Sequence, residues 1–390
     1  MAPTAQPTIL SPSELSYLHT SLSLNPPIRP DARSPTSFRP LVAETDLLPS
    51  TNGSARLCFA DGTEAIVGVK GEVERTGGVG KQIGGAGGED WWVEVTVDML
   101  GQRDDDAMVV FLAQMIHEGL VADGILRARL VINRRWHWRL YIDILLLSPP
   151  HTYPLPLLSL TTHLALLSTC LPAPVAGLEK DDDPLFNDDW DAAIPLYPSA
   201  SHFSKTKANL SAARPPITLL VISVGDNIFF DPSHAELAVA DAVVAVTVAS
   251  SPSSTDNLNL LAVRTIDPPS RLSSSAAEMG QAIEEGAWKP KTGCICRTVW
   301  RKRVGMGVMR GGVGEEVLGG LEGLLKKAYG FEGLHSWMIL VYRERFGRYQ
   351  EHQTLRISTV GWKVTSRRVL DMRTEADMVV SQTGGSYRMG

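Results

Sequence analysis

The sequence predicts an α+β protein of two similar-sized layered domains, each running strands first and helices after. Three observations carry this. Apolar, β-branched runs of strand length recur in both halves. Each set is followed by segments whose apolar residues step by three and four. Between the halves, from about 177 to 216, the chain turns Pro-rich and acidic, as connections do. The 390 residues are 44% hydrophobic and 21% charged, with a formal net charge of -6, the proportions of a chain with a sizeable core. Global disorder, collagen, coiled coil and disulfide scaffold are excluded. At this charge, any nucleic-acid contact must use local basic patches.

Residues 1–28 read as an extension in which Glu14 to Leu24 form a short amphipathic helix capped by Ser11 or Ser13. The first domain, 29–176, opens with two strands between Ser54 and Val73 joined at Asp61-Gly62, a pair that suits a type I′ turn. The glycine-rich run 77–88 is an insertion too costly in backbone entropy to order alone. Trp91 to Met99 resumes as a strand, and Val109, Leu112, Ile116 and Leu120 mark a helix. Strands follow at Ala128 to Asn133 and Trp136 to Leu147. Leu157, Leu160, Leu164, Leu167 and Leu171 form a stripe on a second helix.

The second domain, 217–330, carries strands at Ile217 to Val224, Ile228 to Phe230, Ala238 to Val248 and Leu258 to Ile266, then helices at Ser273 to Glu285 and Gly314 to Ala328. A basic stretch at about 286–310 interrupts it as an insertion, and 331–390 is a tail of weak periodicity.

No Asp, Glu, Lys or Arg occurs from Ile144 to Leu178, but prolines divide that stretch. Its longest proline-free piece, Leu157 to Leu171, is 15 residues and carries hydroxyls and a histidine, so it reads as a core helix and not a span. Four cysteines with no secretory signal ahead of them fit a reducing compartment.

Most chemical signatures fail on their own terms. Gly80-Lys81 is followed by Gln82, not the Ser or Thr of a phosphate loop, and no Gly-x-Ser-x-Gly exists. His117-Glu118 lacks a second His four residues on, and Cys294-Ile295-Cys296 lacks a matching pair, so no metal or other cofactor is expected. The aspartates from 181 to 191 read as a solvated loop. Arg134-Arg135-Trp136-His137-Trp138-Arg139 mixes cations with rings able to stack on bases; the competing reading is an amphipathic strand with its aromatics packed inward.

Taken in order, several blocks resemble one family. Arg29-Pro30-Asp31-Ala32-Arg33 followed by Phe38-Arg39-Pro40 is similar to the Arg-x-Asp-Gly-Arg…Arg-Pro opening of RNase PH-fold proteins. Asn52-Gly53-Ser54-Ala55 with Asp61-Gly62-Thr63 resembles the hairpin of the RNase PH-like ring subunits of the eukaryotic RNA exosome. Leu140 to Leu145, Val224 to Pro232 and Gly314 to Leu318 agree. The resemblance spans about Leu15 to Leu325. It implies an RNase PH fold (ribosomal protein S5 domain 2-like), RNase PH-like paralogues as partners in a hetero-hexameric ring, S1/KH-type cap subunits and single-stranded RNA in its channel. It also implies a nuclear, nucleolar and cytoplasmic location, away from membranes.

Catalytic members of that family cut RNA with phosphate, using an arginine turn and an acid pair, because a dianionic nucleophile must be held and the leaving oxygen protonated. Here the turn falls on Pro149 to Thr152, without arginine. Of the acid pattern, Asp231 and Glu236 remain and Leu237 stands where the second aspartate belongs. The helix that carries RNA-gripping arginines in archaeal partners shows Gln114, His117 and Glu118. The expectation is therefore a non-catalytic scaffold in RNA processing and degradation, including maturation of rRNA. Arg29, Arg33, Arg39, Arg134 and Arg135 are its candidates for RNA or inter-subunit contacts. The alternatives are an active phosphorolytic 3′–5′ exoribonuclease that recruits an arginine from elsewhere, and a free-standing RNA-binding module.

Overall fold

The computed structural model describes residues 10–76, 88–133, 135–149, 152–175, 183–187, 189–197, 213–250, 258–266, 297–308 and 311–329. The glycine-rich run up to residue 87, most of the connection between the halves, Arg134, the helix expected at Ser273 to Glu285 and the tail lie outside these. By its contacts the chain divides into two units, Met1–Tyr329 and Gly330–Gly390, and only the first contains described residues.

Helix α1 (Pro12–Ser23) starts where its chemistry dictates. The Ser11 side chain accepts the Glu14 N–H and the Glu14 carboxylate accepts the Ser11 N–H at 2.7 Å, a reciprocal capping box. The first sheet has the order β1-β2-β3-β5-β4, built from β1 (Leu41–Thr45), β2 (Gly53–Phe59), β3 (Glu64–Arg75), β4 (Val93–Met99) and β5 (Trp136–Leu146). All its pairings are antiparallel except β4 with β5, which a helical crossover connects. The β2–β3 hairpin lies where expected, but its turn differs. Only Gly62 has a positive φ (86°), and Gly62 N–H donates to Phe59 O, giving a type I turn closed by a left-handed glycine, not the type I′ pair that Asp61-Gly62 suggested.

Helix α2 (Ala107–Val121) packs on β4, and α3 (Ile125–Arg129) takes the first two residues of the strand expected at Ala128 to Asn133. The chain restarts at Gly124 (φ 69°), Asp123 accepts the Ile125 N–H, and Leu126 and Leu130 anchor the turn in the core; only Val131 bridges to His137.

The second sheet, order β11-β10-β8-β9, is antiparallel throughout: β8 (Ile217–Val224), β9 (Asn227–Phe230), β10 (Ala242–Ser250) and β11 (Leu258–Ile266). A short helix α5 (His234–Ala238) precedes β10, which therefore begins four residues later than the apolar run suggested. The two-residue strands β6 (Cys170–Leu171) and β7 (Ile194–Pro195) pair separately. Part of the basic insertion is helix, α6 (Arg297–Val308), packed on β10 and β11 beside α7 (Val313–Tyr329).

One element joins the two sheets. Helix α4 (Leu155–Ser168) packs on β2 and β3 on one side and β8 on the other, and every residue from Leu155 to Leu166 is buried. A single leucine stripe thus understates it, because a helix covered all round needs apolar groups all round. Its hydroxyls are satisfied: Thr161 and Thr162 donate to carbonyls one turn back, and Ser159 accepts the Thr218 N–H at 2.7 Å. One hydrophobic cluster accordingly contains residues of both sheets, so the two halves share a core. Among the described residues no helix is long and apolar enough to cross a membrane, and no group of three His, Cys, Asp or Glu side chains is placed to hold a metal.

His163 sits in that core with no exposed surface, its Nδ1 2.8 Å from Pro215 O, and burial pushes its pKa down to about 4. A histidine depressed in the fold and ordinary when unfolded contributes full stability above about pH 6.5 and loses it as pH falls toward 4. Denaturation followed by circular dichroism should show stability declining across that window by about 3 kcal/mol. In His163→Gln most of that slope should vanish.

Candidate functional site at the arginine and carboxylate cluster

The segment after α1 and the turn after β9 meet in a cluster of charges. Asp231 directly follows β9 with φ 47°, and Pro232 leads into Ser233, which caps α5. Glu236 completes a second capping box, its Oε2 accepting the Ser233 N–H at 2.8 Å. Both carboxylates are buried.

Arg29 is 3% exposed and uses all five of its N–H groups inside the molecule. Its Nε and Nη2 form a fork on Glu236 at 2.7 and 2.8 Å, and the rest go to the carbonyls of Ser34, Phe230 and Asp231. Arg33 donates to Asp231 Oδ2 at 2.9 Å, to the Asp231 and Ser37 carbonyls, and to Asp31 at 2.5 Å. Arg39 gives Asp231 its backbone N–H (2.8 Å), Nε (2.9 Å to Oδ2) and Nη2 (2.6 Å to Oδ1), then reaches Asp61 at 2.5 Å and Thr152 Oγ1 at 3.2 Å, with its guanidinium over the Phe59 ring.

The electrostatics follow from these partners. Burial alone raises the Asp61 carboxyl, but hydrogen bonds from Thr63 and the Arg39 guanidinium outweigh it and hold Asp61 below the usual carboxylate range. Burial works against the Arg39 charge too, yet Asp231 and Asp61 keep its pKa above the ordinary value. Three guanidiniums face four carboxylates, those of Asp31, Asp61, Asp231 and Glu236. The cluster holds no surplus positive charge to attract phosphate, and every oxygen of Asp231 and Glu236 already accepts a hydrogen bond.

The structure therefore unites three of the five arginines expected at an RNA or subunit contact, but turns them inward. Within this chain their hydrogen bonds are internal: Arg29 spends all five N–H groups there, and Arg33 and Arg39 spend four each. Leu237 points away from the cluster into a small core with Leu22, Leu220, Ile222 and Phe229. Thr152, from the turn that lacks arginine, touches Arg39.

Arg135 is exposed at the far end of the first sheet, where β5 begins; β3 runs the length between, about 35 Å. On α2, Gln114 and Glu118 bond each other, Glu118 pairs with Arg264, and His117 faces the Asp90 carbonyl. Sequence reasoning missed Asp61 as a member of the cluster, since Asp-Gly signals a turn and nothing about a partner 22 residues back.

No family model matches the chain. Across 236 residues it is 33% identical to exosome complex component RRP42 of Saccharomyces cerevisiae, covering 60% of this chain and 78% of that protein. The chain belongs to the family of exosome complex component RRP42. Its Schizosaccharomyces pombe relative, exosome complex component rrp42, is 29% identical over 256 residues, 62% of this chain and 79% of that one. These are exosome components, as the opening, hairpin and closing-helix motifs implied. Solved structures similar to this one include the Archaeoglobus fulgidus exosome with RNA bound to the active site (TM-score 0.47, 16% identity, 75% of this chain and 92% of that one) and rice Rrp46 (TM-score 0.43, 11% identity, 76% and 96%).

Breaking a buried pair is costlier than deleting both charges, because the lone survivor stays desolvated. Arg29→Met should cost about 3 to 5 kcal/mol in urea denaturation. Arg29→Met with Glu236→Gln, which keeps the cap, should cost less than Arg29→Met alone. Ala32 holds φ 58°, the left-handed region, at the position where the family motif has glycine. Ala32→Gly should therefore raise stability by up to about 1 kcal/mol, measured the same way.

Proposed function

We propose that this chain is a non-catalytic ring subunit of the RNA exosome. In this reading it completes a hetero-hexameric ring with RNase PH-like paralogues, supports S1/KH-type cap subunits and lines the channel for single-stranded RNA during 3′–5′ processing and degradation, rRNA maturation included. The observation that carries the non-catalytic part is the saturation of Asp231 and Glu236 by Arg29, Arg33 and Arg39. A general acid must reach the leaving oxygen, and a carboxyl group whose two oxygens are both taken up by guanidinium N–H groups has neither free to do so. Leu237, at the position of the second acid, is committed to apolar packing. The proposed locations are nucleus, nucleolus and cytoplasm, away from membranes.

In place of chemistry the arginines secure shape. They fasten residues 29–39 to the β9–α5 turn, so that this part of the surface is presented to neighbours in one conformation. A subunit whose role is to be recognised needs that more than it needs a reactive centre.

Size-exclusion chromatography with light scattering, on the chain alone and co-expressed with RNase PH-like paralogues, tests the reading when each peak is assayed for phosphate-dependent RNA shortening. A stoichiometric hetero-oligomer that releases no nucleoside diphosphates is expected. A stable homo-oligomer that does release them would establish the phosphorolytic alternative, and a stable monomer with salt-dependent RNA affinity of its own would favour the free-standing module.

A further inference from the structure

The aromatic and basic segment at the start of β5 does something other than its sequence suggests. Its alternate residues His137, Arg139, Tyr141, Asp143 and Leu145 line the outward face of the first sheet, opposite the core. His137 is nevertheless fully buried, because Trp91 and Trp92 fold over it. Trp92 stacks on the imidazole with ring centroids 4.1 Å apart, and Trp91 meets it edge-on at 5.3 Å. Trp91 itself stays 47% exposed. Beside it, Arg139 lies between the Trp91 and Tyr141 rings, at 5.8 and 5.3 Å, and is held from the sides by Glu74 and Glu94 at 3.3 and 2.9 Å.

Trp, Tyr and Arg dominate the energetics of protein interfaces, most of all when fixed before binding. Here buried rings fix Trp91 and two carboxylates fix Arg139. Around them, the outward positions of β3, β4 and β5 carry six carboxylates, Glu64, Glu72, Glu74, Glu94, Asp98 and Asp143, against two cations, Lys70 and Arg139. That surplus selects the occupant. RNA is repelled by it, despite the stacking surface, and so is a second copy of the same face. We propose that this face docks a protein whose contact surface is rich in lysine and arginine around an apolar centre, with Trp91, Arg139 and Tyr141 as the anchor. The proposal does not depend on the chain sitting in a ring.

A photo-cross-linking amino acid at Leu145, exposed and next to Asp143, tests it in the complex purified with the full chain, with and without ribonuclease treatment. The expected product is a cross-link to a Lys/Arg-rich peptide of another protein that survives ribonuclease. It should fall at least tenfold in Glu94→Lys/Asp143→Lys and by less in the milder Glu94→Gln/Asp143→Asn, with Trp91 oxidised more slowly in the complex than in the free chain. A cross-link to RNA or to a second copy overturns the proposal. So does one indifferent to charge reversal, or none together with unchanged Trp91 oxidation. A charge-sensitive cross-link to a basic protein in a complex lacking RNase PH-like paralogues would keep this proposal and remove the ring reading.

Discussion

Two carboxylates taken out of water set the terms for one whole side of this molecule. Asp231 and Glu236 would be intolerable in the interior without countercharge, since the desolvation of each ion costs several kcal/mol. Arg29, Arg33 and Arg39 supply it, and in doing so they determine where residues 29–39 run. Backbone bonds then follow the side chains, as in the Phe230 N–H donating to Pro35 O at 2.9 Å. The strain at Ala32 and Asp231, both at positive φ, is what the backbone tolerates to aim those groups.

Under the proposed non-catalytic role, the same geometry lets a family motif persist as structure. In that reading an acid otherwise free for proton transfer is engaged by guanidiniums, and the same charge pattern serves a different purpose. Leu237 beside them adds an apolar contact beneath α1.

Much of this was legible in the sequence. Periodicity located α1, α2, α4 and α7 and most strands, because each buries one face or, for α4, its whole circumference. It failed at Ala128 to Asn133, where a helical turn begun at Gly124 (positive φ) runs on through Arg129, and at Ala238, where a capping box extracts one turn from what reads as strand. At the site, the residues were legible and their direction was not. Arg29 and Glu236 are 207 positions apart, and nothing local distinguishes an arginine facing solvent from one facing a buried acid. Trp91 posed the converse problem: its neighbour Trp92 is buried and it is not, a difference set by the rings of β5 beneath.

Helix α4 has a consequence for motion. Because it is covered by both sheets and shares one core with them, its amides reach solvent only when that core opens as a whole. Among the described residues the two sheets meet in one packed core, so a push on one is carried through α4 to the other more as displacement than as deformation. In an assembly such a body behaves as a stiff tile.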